Sequence, residues 1–394
     1  MDNRKLLHIP MYFFMIMFLT GCWDQVNIEE HGFVLGVAVD MADDGPSEKK
    51  VFSLTNQMVS PGDLGTPTSD SGEEPPFINI TASGESIFAI SRNMLKEVSR
   101  APYHEHLRLI VISADVAQDP ELFASMMDVF VRNQQIRRGV KVLIAEKKAK
   151  NILEINPKPE RLPAMHIDMI TDNAHNSMDM IEPVTLGGLH GDLLNEFSYV
   201  LPTISTHEDK VDYNGVAVFN GVNDRMVGSL NGSETIGMNL IKGDMQGGYI
   251  KFEMENHSMV FELERAKSRI KIDSKDPTNM DISITIDVEG NLAEMYGSKT
   301  LLASSYLAKI EEKIAEQIEQ LAYQTIDKAQ QEYKLDILDI DKMLIRKHYN
   351  VWEKIKKDWE NGENYFSNSN IHVSADVKVR EFGATDRAKD KEHQ

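Results

Sequence analysis

A single cysteine, Cys22, in 394 residues excludes any internal disulfide, so packing and hydrogen bonds alone must hold the fold. Positive charge is also short: 42 Lys and Arg stand against 62 Asp and Glu, a net charge of −20. That balance argues against nucleic acid as a partner and against broad adhesion to anionic lipid, and no polybasic cluster offsets it locally. The apolar run from Met11 to Leu19 falls short of the ~20 residues a membrane-spanning helix needs. Repeats at solenoid periods are missing. So are a Gly-x-Ser-x-Gly elbow, a His-Glu-x-x-His helix, a phosphate-cradling loop and a dinucleotide glycine fingerprint. These absences weaken the case for an enzyme without removing it, because triad members are brought together by geometry rather than by sequence position.

What is present starts at the N-terminus. Arg4 and Lys5 precede the short apolar run, which is the shape of a secretory signal. The run ends in Leu19-Thr20-Gly21-Cys22, an apolar residue, two small residues and a cysteine, which resembles the lipobox of bacterial lipoproteins. In such precursors the thiol receives a diacylglyceryl group, the leader (here 1–21) is cut off, and the new amino terminus can be acylated too. The alternative is an ordinary buried cysteine. Position, leader charge and the three preceding residues together favour lipidation of Cys22. Two acyl chains make a stable anchor, at about 0.8 kcal/mol per buried CH₂, so the remainder of the chain can be soluble.

Beyond the anchor the reading is α+β with mixed sheets. Residues 32–39 and 51–59 read as a hairpin, and 60–76, crowded with Pro, Gly, Ser and acids, as a flexible loop. A strand around 78–82 precedes a helix with Ser83 or Ser86 as cap and Ile87, Ile90, Met94, Leu95 and Val98 on one face. Strand, helix, strand follow at 107–113, 120–135 and 140–145, with a short helix at 149–155. The wholly polar 206–210 suggests a division, giving an N-terminal α/β region at 22–205, which two subdomains could make up, and a C-terminal α+β domain at 212–385. The second opens with a strand pair turning at Asn220-Gly221 and a short helix after Asn231. Three more strands then lead to a long helix at about 299–332, whose apolar stripe, Leu307 through Ala329, should lie on a sheet. The alternation at 371–379 closes the chain as a half-buried strand.

Three groups of side chains invite chemistry. His104 and His106, two residues apart on an expected strand, would need a third ligand to hold zinc, and neither His166 nor His190 stands at ligand spacing, so no metal site is expected. Asp336, Asp339 and Asp341 lack the central Gly and terminal Glu of a calcium loop, and read instead as a capped helix start with Ile337, Leu338 and Ile340 buried. Arg92, Arg100, Arg108, Arg132, Arg137 and Arg138 make one region locally basic; solvated arginines are favoured there over a docking face for acidic loops. No catalytic residue, cofactor or metal is assigned.

Several stretches, in preserved order along nearly the whole chain, resemble the C subunit of GerA-type spore germinant receptors. They are Gly21-Cys22-Trp23-Asp24 with the strand ending at Asp40; 84–92 with 104–112 and 132–137; 215–219 with 224–230 and 234–237; and 336–341 leading through Trp359 to Val379. Leu338, Asp339 and Asp341 depart from the aromatic and glycines usual there. The resemblance implies a non-enzymatic lipoprotein, anchored by Cys22 on the outer face of the spore inner membrane of a Gram-positive endospore former. Its partners would be the multispanning A and B subunits, and its role would be scaffolding or signal coupling in the response to small nutrients. The competing readings are a solute-binding lipoprotein of a transporter and, behind it, an envelope hydrolase.

Overall fold

A computed structural model of the protein describes residues 31–43, 50–60, 75–120, 122–208, 210–213, 215–243, 245–295 and 304–380. Cys22, the leader and nearly all of the expected loop at 60–76 lie outside the described residues.

Among the described residues fourteen strands, His31–Met41 (β1), Phe52–Val59 (β2), Phe77–Gly84 (β3), Ala101–Tyr103 (β4), Leu109–Ser113 (β5), Lys141–Ala145 (β6), Tyr199–His207 (β7), Lys210–Asp212 (β8), Val216–Asn220 (β9), Arg225–Leu230 (β10), Tyr249–Met254 (β11), His257–Asp273 (β12), Asp281–Met295 (β13) and Asn370–Val379 (β14), form two sheets. The first runs β10-β9-β7-β6-β5-β1-β2-β3, with β4 beside β1 and β8 beside β7; the second runs β11-β12-β13-β14. In the first, β1, β5, β6 and β7 are parallel, and the pairs β1–β2, β2–β3, β7–β9 and β9–β10 on either flank are antiparallel.

Parallel strands have helices on both faces, so they are apolar throughout. Accordingly, Ile110, Ile112, Val142 and Ile144 point into one core, and Leu109, Val111, Leu143 and Ala145 into another. The first of these cores is covered by helices Ile87–Met94 (α1), Leu122–Arg132 (α2) and Leu186–Asn195 (α5), the second by Ala149–Ile152 (α3) and Pro163–Thr171 (α4). Helix α1 has Ser86 as its cap, accepting from the Ala89 amide at 3.4 Å, and buries Ile87, Ile90 and Met94. It stops one turn earlier than expected, which leaves Leu95 exposed.

The second sheet carries its helix on one face, the α-helices that follow β10 being Gly232–Lys242 (α6), Ser304–Asp327 (α7), Ile340–Lys347 (α8), Tyr349–Ile355 (α9) and Tyr365–Asn368 (α10). Ile310, Ile314, Ile318 and Ile326 of α7 are buried in one core with Ile282, Ile284, Ile286 and Val288 of β13. Each such side chain contributes about 1.5–3 kcal/mol by burial. Helix α7 also covers the sheet's edge: Glu319, Tyr323 and Glu311 accept hydrogen bonds from the outward amides of Ala375, Val373 and Val379 at 2.9, 3.0 and 3.0 Å. That blocks pairing of β14 with a foreign strand.

At the expected division, residues 205–207 and 210–212 pair antiparallel as the end of β7 and as β8, and β9 and β10, beyond them, complete the first sheet. Strand β9 belongs to both halves of the molecule. Val216 and Val218 face the core of the second sheet, and Ala217 and Phe219 face the core of the first.

Candidate functional site

Between α1, the end of α2 and the sheet lies a half-open groove of about 780 Å³, within the range of small-molecule sites. Its floor is Val37 of β1 with Leu54 and Asn56 of β2; Ile87, Phe88, Ser91 and Arg92 form one wall, and Phe130, Gln135 and Ile136 the other. His31 and Tyr103 line it as well.

The floor is polar where the strand pattern calls for an apolar residue. Leu54 and Met58 share the face of β2 that packs on the helices, and Asn56 lies between them with 0% exposure. Its Nδ2 donates to Met94 Sδ at 3.4 Å, and its Oδ1 has no partner. His104 is also buried here; removal from water pushes its pKa down to about 4 against a hydrogen bond with Gln135, so the imidazole is neutral at physiological pH. At the mouth Phe88 is 58% and Leu95 42% exposed, and the Arg92 guanidinium lies 5.2 Å from the centre of the Phe88 ring.

The histidines singled out in the sequence are spread apart. Residues 104–106 form a turn rather than a strand, so His104 faces the interior while His106 packs edge-on against Phe33 with ring centres 5.3 Å apart. His166 pairs with Glu160 at 3.0 Å, and His190 with Arg138 at 2.9 Å. Among the described residues no three His, Cys, Asp or Glu side chains gather as a metal site. The six arginines are exposed and several are locally engaged, Arg132 with Asp128 at 2.5 Å and Arg108 with Asp168 at 3.8 Å.

The aspartates at 336–341 do begin a helix: Asp339 holds the cap position without a side-chain cap bond, and the carboxylate that receives the helix-start amides is that of Asp336. Buried, it accepts from the amides of Leu338, Ile340 and Asp341 at 3.1, 3.2 and 2.7 Å and from the Trp359 indole at 3.0 Å. Ile337, Leu338 and Ile340 are buried around it. Asp339 instead turns outward to Lys242 and Lys342 at 3.2 and 2.8 Å. Glu360 ties the cluster to the first sheet, accepting from the Asp336 amide at 2.5 Å and the Ser198 hydroxyl at 2.7 Å. Burial, with the Asp336 charge alongside, pushes Asp341 up to about 9 and Glu360 up to about 7. This arrangement is structural: its lone pairs are occupied by the fold itself.

Asp40 has a similar task, its buried carboxylate accepting from the amides of Ala149 and Lys150 at 2.6 and 2.9 Å at the start of α3. The groove was not visible in the sequence, although the consecutive polar residues Thr55, Asn56 and Gln57, all buried within one strand, were its available signal.

Comparison with known proteins supplies the context. Residues 24–206 match the family described as spore germination protein N-terminal domain, and 214–383 match spore germination B3/GerAC like, C-terminal. Three Bacillus subtilis (strain 168) proteins align over nearly their whole length: spore germination protein YndF, 28% identical over 97% of this chain and 98% of its own; spore germination protein A3, 29% over 96% and 98%; and spore germination protein B3, 26% over 94% and 96%. The crystal structure of the GerBC protein superposes with a TM-score of 0.58 at 22% identity, covering 89% of this chain and 99% of that one. It shares the fold.

Proposed function

The chain belongs to the GerAC family of spore germination proteins, and from that premise we propose that it is the lipid-anchored C subunit of a nutrient germinant receptor, working beside A- and B-type membrane subunits. What carries the reading is the end-to-end match, through both family domains, to proteins named for spore germination. No helix among the described residues is long and apolar enough to cross a membrane; the attachment in this reading is through Cys22 and the partners. His31 follows Cys22 by nine residues, which at full extension places β1 within about 32 Å of the lipid. Tethering holds the subunit at high effective concentration next to embedded partners on the outer face of the spore inner membrane.

The role is one of binding rather than chemistry. Ligand sensed by the complex shifts a conformational equilibrium, and this subunit transmits the shift through contacts that differ between the two states. Strand β9, packed into both cores, and the Ser198–Glu360–Asp336 link support this reading by joining the two sheets.

Affinity isolation from spore membranes tests the assembly: the chain is expected to bring down its A and B subunits, and isolation of the chain alone under conditions that keep A and B together would refute it. The anchor is tested separately by Cys22→Ala, which should abolish fatty-acid labelling and move the protein to the soluble fraction. A variant that stays labelled and sedimenting overturns the anchor.

A further inference from the structure

We propose that the groove between α1, α2 and the first sheet is a binding site for a small amphipathic molecule, with an apolar body and an uncharged hydrogen-bond donor end that reaches Asn56. This goes beyond the receptor reading, since it gives this subunit a ligand of its own.

The strongest observation is Asn56. An amide oxygen with no exposure and no partner costs about 1–3 kcal/mol, and such groups in folded proteins call for a reason. Leucine at this place would follow the pattern of Leu54 and Met58 and close the floor. The chain instead keeps an amide whose one engaged atom is held by a thioether and whose oxygen, buried at the floor of the groove, has no partner.

The other lining residues define what fits. His104 is neutral, Asp128 and Arg132 neutralise each other, and Arg92 stands at the mouth over Phe88, so a charge carried down to the floor meets nothing there to compensate it. Ile87, Phe130 and Ile136 supply apolar walls, and Phe88 and Leu95 extend them to the surface. A molecule with an aromatic or branched aliphatic body would cover that exposed apolar surface while its hydroxyl or amide N–H satisfies Asn56.

The test uses purified chain carrying Cys22→Ala with the leader removed, and three neutral donor-bearing probes: tryptophol, 4-hydroxybenzyl alcohol and N-acetyl-leucinamide. Binding is followed by saturation-transfer NMR and calorimetry, with 1-methylnaphthalene as the probe lacking a donor. At least one donor-bearing probe is expected to bind saturably and more tightly than 1-methylnaphthalene. Asn56→Leu should weaken it about tenfold, the loss of one hydrogen bond, while leaving the melting temperature unchanged or higher. Ser91→Trp, which fills the groove from the α1 wall, should abolish binding with an unaltered circular dichroism spectrum. Absence of saturable binding by all three probes, as when only water meets Asn56, would overturn the proposal. So would affinity that Ser91→Trp leaves intact. Because no A or B subunit is present, failure here leaves the receptor assignment standing, and failure of that assignment leaves the groove to be judged on its own.

Discussion

Single side chains decide where this fold is rigid, and Asp336 is the clearest instance. Four N–H donors converge on its buried carboxylate, so Asp336→Ala leaves them unsatisfied and is expected to cost about 3–5 kcal/mol in chemical denaturation. Glu360 makes stability depend on pH. Its folded pKa, raised to about 7 from the ordinary 4.5 of a glutamate, means the folded state binds more protons than the unfolded one between those values. Its contribution is therefore fully present below pH 4.5 and is lost as pH rises toward 7; Glu360→Gln should flatten that decline in melting temperature, and an unchanged slope would contradict the assignment. The sequence showed aspartates at a helix start but not which one would act: Asp336, four residues before α8, reaches the amides, whereas Asp339 at the helix cap turns to lysines. Local capping rules reach only the immediate neighbours, and a cap that arrives across a turn depends on tertiary placement.

Elements with a strong period were legible, because an amphipathic pattern reports a buried face regardless of what buries it. Helix α7 and strand β14 are the cases in point: the isoleucines of one and the alternate valines of the other are buried where the pattern puts them. What the pattern does not encode is partnership. Nothing in 216–230 announces that β9 and β10 join the sheet built from 31–207, since strand pairing is set by long-range packing. Nor does the sequence of α7 reveal that Glu311 and Glu319, on its polar side, cover the outer amides of β14. Replacing both with alanine should expose an edge strand, costing roughly 1–3 kcal/mol and raising light scattering on concentration. Gly237 joins two elements by its lack of a side chain, because a Cβ there would collide with the Leu321 carbonyl of α7. Gly237→Val should push α6 from α7 and lower stability by about 1–3 kcal/mol in thermal unfolding.

At the scale of the whole molecule, strand β9 of the first sheet faces both cores, and the acidic cluster around Asp336 reaches the first sheet through Glu360 and Ser198. These joints between the two sheets are what the proposed coupling role would use. The family was readable in the sequence because its short motifs fall in order along the chain, and several prove to be structural joints: Asp40 under α3, Asp336 under Trp359, and Gly215, whose φ of 78 and nearby Leu230 carbonyl exclude a side chain. The groove was unreadable because its residues come from five separate segments and only the fold assembles them. The most direct test of the central claim is removal of this gene from a sporulating host whose other germinant receptors have been deleted, followed by exposure of the spores to single nutrients. The account predicts that the response to at least one nutrient disappears and returns when the gene is restored. Spores that answer every nutrient as before would contradict it.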